Sequence, residues 1–172
     1  DQLLNDMALY NLDLVLADAP VGTATRVRAY NHLLGECNII FVASRSLAES
    51  LREGFPESLN GSPFLLPTDN TELRRSLDQW FASNGIHPRI VAELEDSALA
   101  KAFGQSGKGV MAIPDIIERE AAAAYGLYRI GVVNSIRERF YAITPERRLK
   151  HPAVIAIAAE ARFMLNPERR SG

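Results

Sequence analysis

Cysteine is almost absent from this 172-residue chain: Cys37 is the only one. No intrachain disulfide and no cluster of thiolate ligands can form from it, which suits a reducing compartment and leads to the expectation of a cytoplasmic protein. No apolar run approaches the length that crosses a bilayer, and no basic-then-apolar leader opens the sequence. Residue 1 is Asp rather than Met, so the start of the sequence carries little weight on that point. A basic excess is missing too. Nineteen Lys and Arg stand against 21 Asp and Glu, giving a net charge of −2. A face that held DNA unaided would carry surplus positive charge, so these residues are not expected to bind nucleic acid directly. The histidines, His32, His87 and His151, are isolated and show no metal-ligand spacing. Each reads as an exposed or satisfied polar residue. Internal repeats, low-complexity segments and an evident Ser/His/Asp set are also lacking.

What is present is an apolar fraction of 47 % with 23 % charged residues, the profile of a globular domain. The length suits one ordinary domain or two small lobes. Residues 1–11 carry Leu3, Leu4, Met7 and Ala8 at helical spacing, and Leu12 to Ala17 reads as a strand. Val27 to Leu34 alternates loosely, and Cys37 to Ala43 is a buried strand, with Gly35-Glu36 between them as a crossing point. A short helix over Ser46 to Arg52, a loop-rich stretch to Pro63 and a brief strand at Phe64 to Leu66 follow. Asp69-Asn-Thr-Glu72 has the reciprocal form of a capping box, with Asp69 at the cap. The helix after it places Leu73, Leu77, Trp80 and Phe81 on one stripe, closed by Gly85. Asp115 to Ala124 reads as a helix begun at Pro114. Leu127 to Val133 and Arg139 to Ile143 read as two strands around a polar connection. A last helix from Pro152 turns Val154, Ala158, Ala161 and Leu165 inward, Asn166-Pro167 ends it, and Glu168 to Gly172 form a tail.

The stretch from Val91 to Pro114 is the most organised. Strand, acidic turn, helix, glycine loop and strand succeed one another, with Asp96 or Ser97 capping a helix that bears Ala98, Leu99, Ala102 and Phe103. Such units imply parallel strands, and in open parallel sheets ligands bind beyond the carboxyl ends of strands. The loop Gly104 to Gly109 spells G-x-x-G-x-G, follows a helix and precedes a strand. That order is the reverse of a phosphate-binding loop. Ser106 lacks the surroundings of a nucleophile elbow. The glycines therefore read as a helix stop with close backbone packing.

Two helix starts, Thr68-Asp-Asn-Thr71 and Glu95-Asp-Ser97, should share one sheet edge. Free amides there favour anions, yet both turns are acidic. Carboxylates, hydroxyls and carbonyls together suit a hard cation, while Asp69, Asp96 and Ser97 equally suit plain capping. The residues that a ligand at these turns would meet are Thr68, Asn70, Thr71, Glu95, Asp96 and Ser97. Arg74-Arg75, Arg147 to Lys150 and Arg169-Arg170 read as solvated faces.

The strand Leu12-Asp-Leu-Val-Leu-Ala-Asp18, the crossing near Gly35, the Gly107 to Pro114 pattern and the return through Leu127 to Val133 together resemble the effector-binding domain of LysR-type transcriptional regulators. Glu93 to Gly104, Leu73 to Gly85 and His151 to Val154 resemble the sodium/proton antiporter activators within that family. The resemblance covers nearly the whole chain. It implies an α/β, periplasmic-binding-protein-like fold of two Rossmann-like lobes with a crossover hinge. The first lobe would comprise residues 1–35 and 126–172, incomplete here, and the second residues 36–125. It further implies a homodimer or homotetramer, DNA contact only through an N-terminal helix-turn-helix outside these residues, and a sodium or lithium ion or small molecule as effector, with no membrane association and no catalysis. By the same analogy Val15, Ala17, Gly109 and Val110 would complete the effector wall. Exposed apolar surface on the incomplete lobe would invite association. Alternatives are a solute-binding protein of the same fold serving a transporter, and a small α/β enzyme using the acidic turn as general base.

Overall fold

The run from Ile39 to Ala43 is buried on both faces. Side chains of a strand alternate, so Ile39, Phe41 and Ala43 enter one apolar cluster while Ile40 and Val42 enter another. This double burial explains why the segment is apolar without interruption. It belongs to β2 (Tyr30–Ser44), the first of two long strands. The second is β6 (Leu127–Thr144). The computed structural model describes residues 2–9, 11–22, 27–149 and 151–165. The expected tail and its Asn166-Pro167 stop lie outside them.

Along the chain, α1 (Gln2–Ala8) and β1 (Val15–Ala17) precede β2. Then come α2 (Arg45–Arg52), β3 (Pro63–Pro67), α3 (Glu72–Ser83), β4 (Arg89–Leu94), α4 (Ser97–Gln105), β5 (Met111–Pro114), α5 (Glu118–Tyr125), β6 and α6 (Pro152–Leu165). The contacts divide the chain into two compact units, Asp1–Cys37 with Glu138–Gly172, and Asn38–Arg137. Both passages between units occur inside strands, on β2 and on β6. The return boundary falls after Arg137 because Ile130, Val133 and Ile136 of β6 are buried in the second unit's core.

In the first unit, β1 lies antiparallel to the end of β6, with Val15 opposite Ile143 and Ala17 opposite Tyr141. Met7, Val15 and Ile143 form one small buried cluster there, and Leu34, Val154, Ala158 and Leu165 are buried elsewhere in the unit. Gly35 is required by α6: a Cβ there would lie 2.6 Å from the Cβ of Leu165. His32 Nε2 is 2.9 Å from Thr144 Oγ1, tying β2 to the end of β6.

In the second unit, β5 runs antiparallel to β2, from Ile39 opposite Pro114 to Val42 opposite Met111. β3 and β4 pair in parallel, and Phe64 bridges in parallel to Val110 at the start of β5. β3 thus stands between β4 and β5, and the strands flanking α4 are parallel without being direct neighbours. Phe41 lies amid aromatic side chains, edge-on to Phe64 at 5.4 Å and stacked on Phe81 at 5.9 Å between ring centroids. Each such pair contributes about 1 kcal/mol beyond area burial. The expected stripe of α3 packs there, with Leu77 and Phe81 buried and Leu73 and Trp80 partly so.

Two local expectations are corrected. β2 and β6 continue through Gly35-Glu36 and through the polar segment after Val133, where breaks are expected. Ladder pairing overrides the polar residues, which occupy exposed positions such as Glu36, Asn134, Ser135 and Arg137. The helix after β5 is a 3-10 turn (Asp115–Ile117) followed by α5. In α4, Leu99 and Phe103 face outward, while Gly104 is the buried residue of the helix, its missing Cβ leaving room for Leu127 and Met111.

Candidate functional site

Parallel pairing brings Pro67 opposite Leu94. The two strands therefore end at one level, and the turns leading to α3 and α4 rise from the same sheet edge. This is the arrangement expected for a ligand edge in a parallel sheet.

The first turn is organised around Thr71, which caps α3 from an extended backbone conformation. Its Oγ1 accepts the Arg74 amide hydrogen at 3.1 Å and donates to the Thr68 carbonyl at 3.0 Å. Thr68 Oγ1 donates to Asn70 Oδ1 at 2.8 Å. The cap is thus Thr71 and not Asp69, and Glu72 is the first helical residue rather than the reciprocal partner. Only the residue directly before the first helical φ/ψ can reach the free amides, and Asp69 stands too early.

In the second turn Asp96 caps α4, its Oδ1 accepting from Ala98 N at 2.7 Å and Leu99 N at 3.2 Å. Glu95 and Ser97 are exposed beside it. The donor set of the two turns is all oxygen, the kind a hard cation takes. Among the described residues, no three His, Cys, Asp or Glu side chains gather where they could hold a metal ion. An ion here would therefore draw on hydroxyl, amide and carbonyl oxygens with no more than two carboxylates.

Between the turns lies Arg74, a buried arginine of α3. Its Nη1 donates to the Pro67 carbonyl at 2.9 Å and to Glu93 Oε1 at 2.6 Å, and its Nε donates to Asp78 at 3.0 Å. Burial alone would lower the Arg74 pKa. The hydrogen bonds to Glu93 and Asp78 more than offset it and hold the guanidinium above its ordinary value. From sequence Arg74 reads as part of a solvated basic pair, and only Arg75 fits that reading. The missed signal is its position, one turn before Leu77 and Asp78, on the inward side of α3.

Gly109 and Val110 lie below this edge, inside the sheet. Val110 is fully buried and exchanges backbone hydrogen bonds with β3, from its amide to Pro63 O and from Leu65 N to its own carbonyl, both at 2.8 Å. A Cβ on Gly109 would stand 2.9 Å from Pro63 O, so that glycine permits a close backbone approach. Gly107 adopts a left-handed φ of +75° after α4. Val15 and Ala17 belong to the first unit, where Val15 is core and Ala17 half-buried.

The LysR substrate binding domain family matches residues 1–163. The chain belongs to that family. Within it, the transcriptional activator protein NhaR of Escherichia coli (strain K12) is 30% identical over 154 residues, covering 90% of this chain and 50% of NhaR. The chain thus spans about half the length of the curated relatives it matches. Among solved structures, the CcmR regulatory domain of Synechocystis PCC6803 in complex with 2-PG matches with a TM-score of 0.68 at 13% identity, covering 96% of this chain and 79% of that one. The DNA complex of Vibrio fischeri DarR matches with a TM-score of 0.69 at 15% identity, covering 95% and 55%. These likenesses establish the periplasmic-binding-protein-like α/β fold.

One further residue of this LysR-type domain was passed over in sequence. Glu138 on β6 is half-buried, and its Oε2 has no hydrogen-bond partner. Burial first, and the negative charge of Asp18 second, raise its carboxyl above the ordinary value. It sits where β6 passes between units. An alternating strand carrying a single acid between Arg137 and Arg139 is the trace it leaves in sequence. The cavity of about 540 Å³ in the first unit, bordered by Asp13, Thr144, Arg148 and His151, contains none of the expected effector residues.

Proposed function

We propose that these residues are the effector-sensing part of a LysR-type transcriptional activator that responds to sodium or lithium, or to a small ligand, and controls an antiporter gene. The observation that supports the site is the β3–β4 register, in which Pro67 lies opposite Leu94, so that the turn with Thr68, Asn70 and Thr71 and the turn with Glu95, Asp96 and Ser97 leave the same sheet edge. The likeness to NhaR supports the activator role and the antiporter target. The all-oxygen character of the turns supports a cation. In this reading Gly109 and Val110 act as the floor beneath the turns, through the backbone bonds of Val110 to β3.

The mechanism is a population shift. An effector that binds one conformation of the domain better moves the equilibrium toward it by no more than that difference in affinity. A homodimer or homotetramer passes the shift to helix-turn-helix segments outside these residues, which contact DNA in the cytoplasm. No helix among the described residues is long and apolar enough to cross a membrane, and the reading calls for no catalytic step. Calorimetric titration with sodium chloride, lithium chloride and small carboxylates is the test. Saturable heat from one of them is expected, and silence from all would remove the proposal.

A further inference from the structure

We infer that Arg74 is a positioning residue that locks the two effector turns into one surface, through the Pro67 carbonyl on one side and Glu93 on the other. The inference rests on the reading of those turns as the effector site, and it concerns what makes them act together. Pro67 is the residue from which the first turn leaves β3, and Thr71, which ends that turn, is capped against the Arg74 amide. Arg74 therefore holds both ends of the turn, one with its side chain and one with its backbone. Glu93 lies on β4 just ahead of the Glu95-Asp96-Ser97 turn, so its 2.6 Å bond to Nη1 carries the same anchor to the second turn. Asp78 holds the guanidinium from the opposite end through Nε.

A planar guanidinium can satisfy acceptors on two strand ends and a helix at once, which a lysine ammonium does less well. The side chain is only 10% exposed, so water competes poorly for these bonds. One cation between two carboxylates also leaves this neighbourhood net negative, consistent with a cationic effector. Coupling between sites needs a physical element that both contact, and Arg74 with Glu93 is that element here.

The test compares the parent chain with Arg74→Lys and Glu93→Ala by amide hydrogen exchange. Glu93 is 44% exposed on its side chain, so Glu93→Ala leaves the core intact even if Arg74→Lys folds poorly. Removing a charge-assisted bond should speed exchange about tenfold at Thr71 and position 74 and also at Ala98 and Leu99. The amides of Ile40 and Val42 should be unchanged. Acceleration confined to the first turn, or none at either, would overturn the inference, as would equal acceleration at Ile40 and Val42. In parallel, the salt or carboxylate that titrates the parent should bind Glu93→Ala about tenfold more weakly. If no probe titrates the parent, the effector reading fails, and the exchange result alone decides whether Arg74 locks the turns.

Discussion

Asp96 accepts both of its amide bonds through one oxygen, Oδ1. Capping needs only that acceptor, whereas ion binding needs the charge. Asparagine caps about as well as aspartate, so Asp96→Asn should keep thermal stability within about 0.5 kcal/mol, while Asp96→Ala should lose about 1 kcal/mol. If the carboxylate holds the effector, Asp96→Asn should also lose the rise in melting temperature that lithium chloride gives the parent. Glu138 provides a prediction of opposite character. Its folded carboxyl titrates above its unfolded one, so the associated stability is complete at pH below the unfolded pKa and is lost as pH rises through the folded value. Glu138→Gln does not titrate. It should therefore melt higher than the parent near neutral pH, with the gap closing on acidification toward the unfolded carboxylate range. A gap that widened in acid would contradict the burial of that group.

Among the elements, the glycine loop supplies the sharpest steric test. A methyl group at Gly109 would meet Pro63 O at 2.9 Å and Leu65 Cγ at 3.2 Å, and neither the backbone carbonyl nor its sheet partner can move freely. Gly109→Ala should cost about 1–3 kcal/mol, read as a lowered denaturant midpoint with an unchanged slope. The packing role of that loop was legible in sequence, because its order of helix then strand opposes a phosphate site. The aromatic stripe of α3 was legible for a similar reason, since its spacing has one helical solution. The length of β2 and β6 was not. A strand leaving a core carries polar residues at exposed positions, and Gly35-Glu36 or Asn134-Ser135 then look like interruptions when they are only the wet side of a continuing ladder. The cap of α3 was misplaced because Asp69 and Thr71 are both good capping residues. Which one precedes the first helical residue is set by where β3 ends. Arg74 escaped notice because adjacent arginines look alike in sequence, although the helix turns one inward and the other out.

For the whole molecule, the two units differ in how much holds them. The first buries Met7, Val15 and Ile143 around β1, a three-residue edge strand, and Leu34, Val154, Ala158 and Leu165 elsewhere, whereas the second has two larger clusters that meet on the opposite faces of β2. Local opening follows the extent of buried apolar contact. Native-state hydrogen exchange should therefore find the amides of β1 exchanging well before those of Ile40 and Val42. Equal rates would mean that the chain opens only as one piece.

The passage of β2 and β6 through both units also governs the order of assembly during synthesis. The first unit pairs Val15 with Ile143 and Glu36 with Arg139, the latter separated by 103 positions. Its opening segment leaves the ribosome long before its partner strand exists. Until then Val15 lacks its cross-strand partner Ile143. Closing a loop of that length adds only a few kcal/mol of entropy, since each doubling adds about 0.6 kcal/mol. The delay is therefore kinetic, set by the time needed to synthesise the partner strand rather than by the entropy of closing the loop.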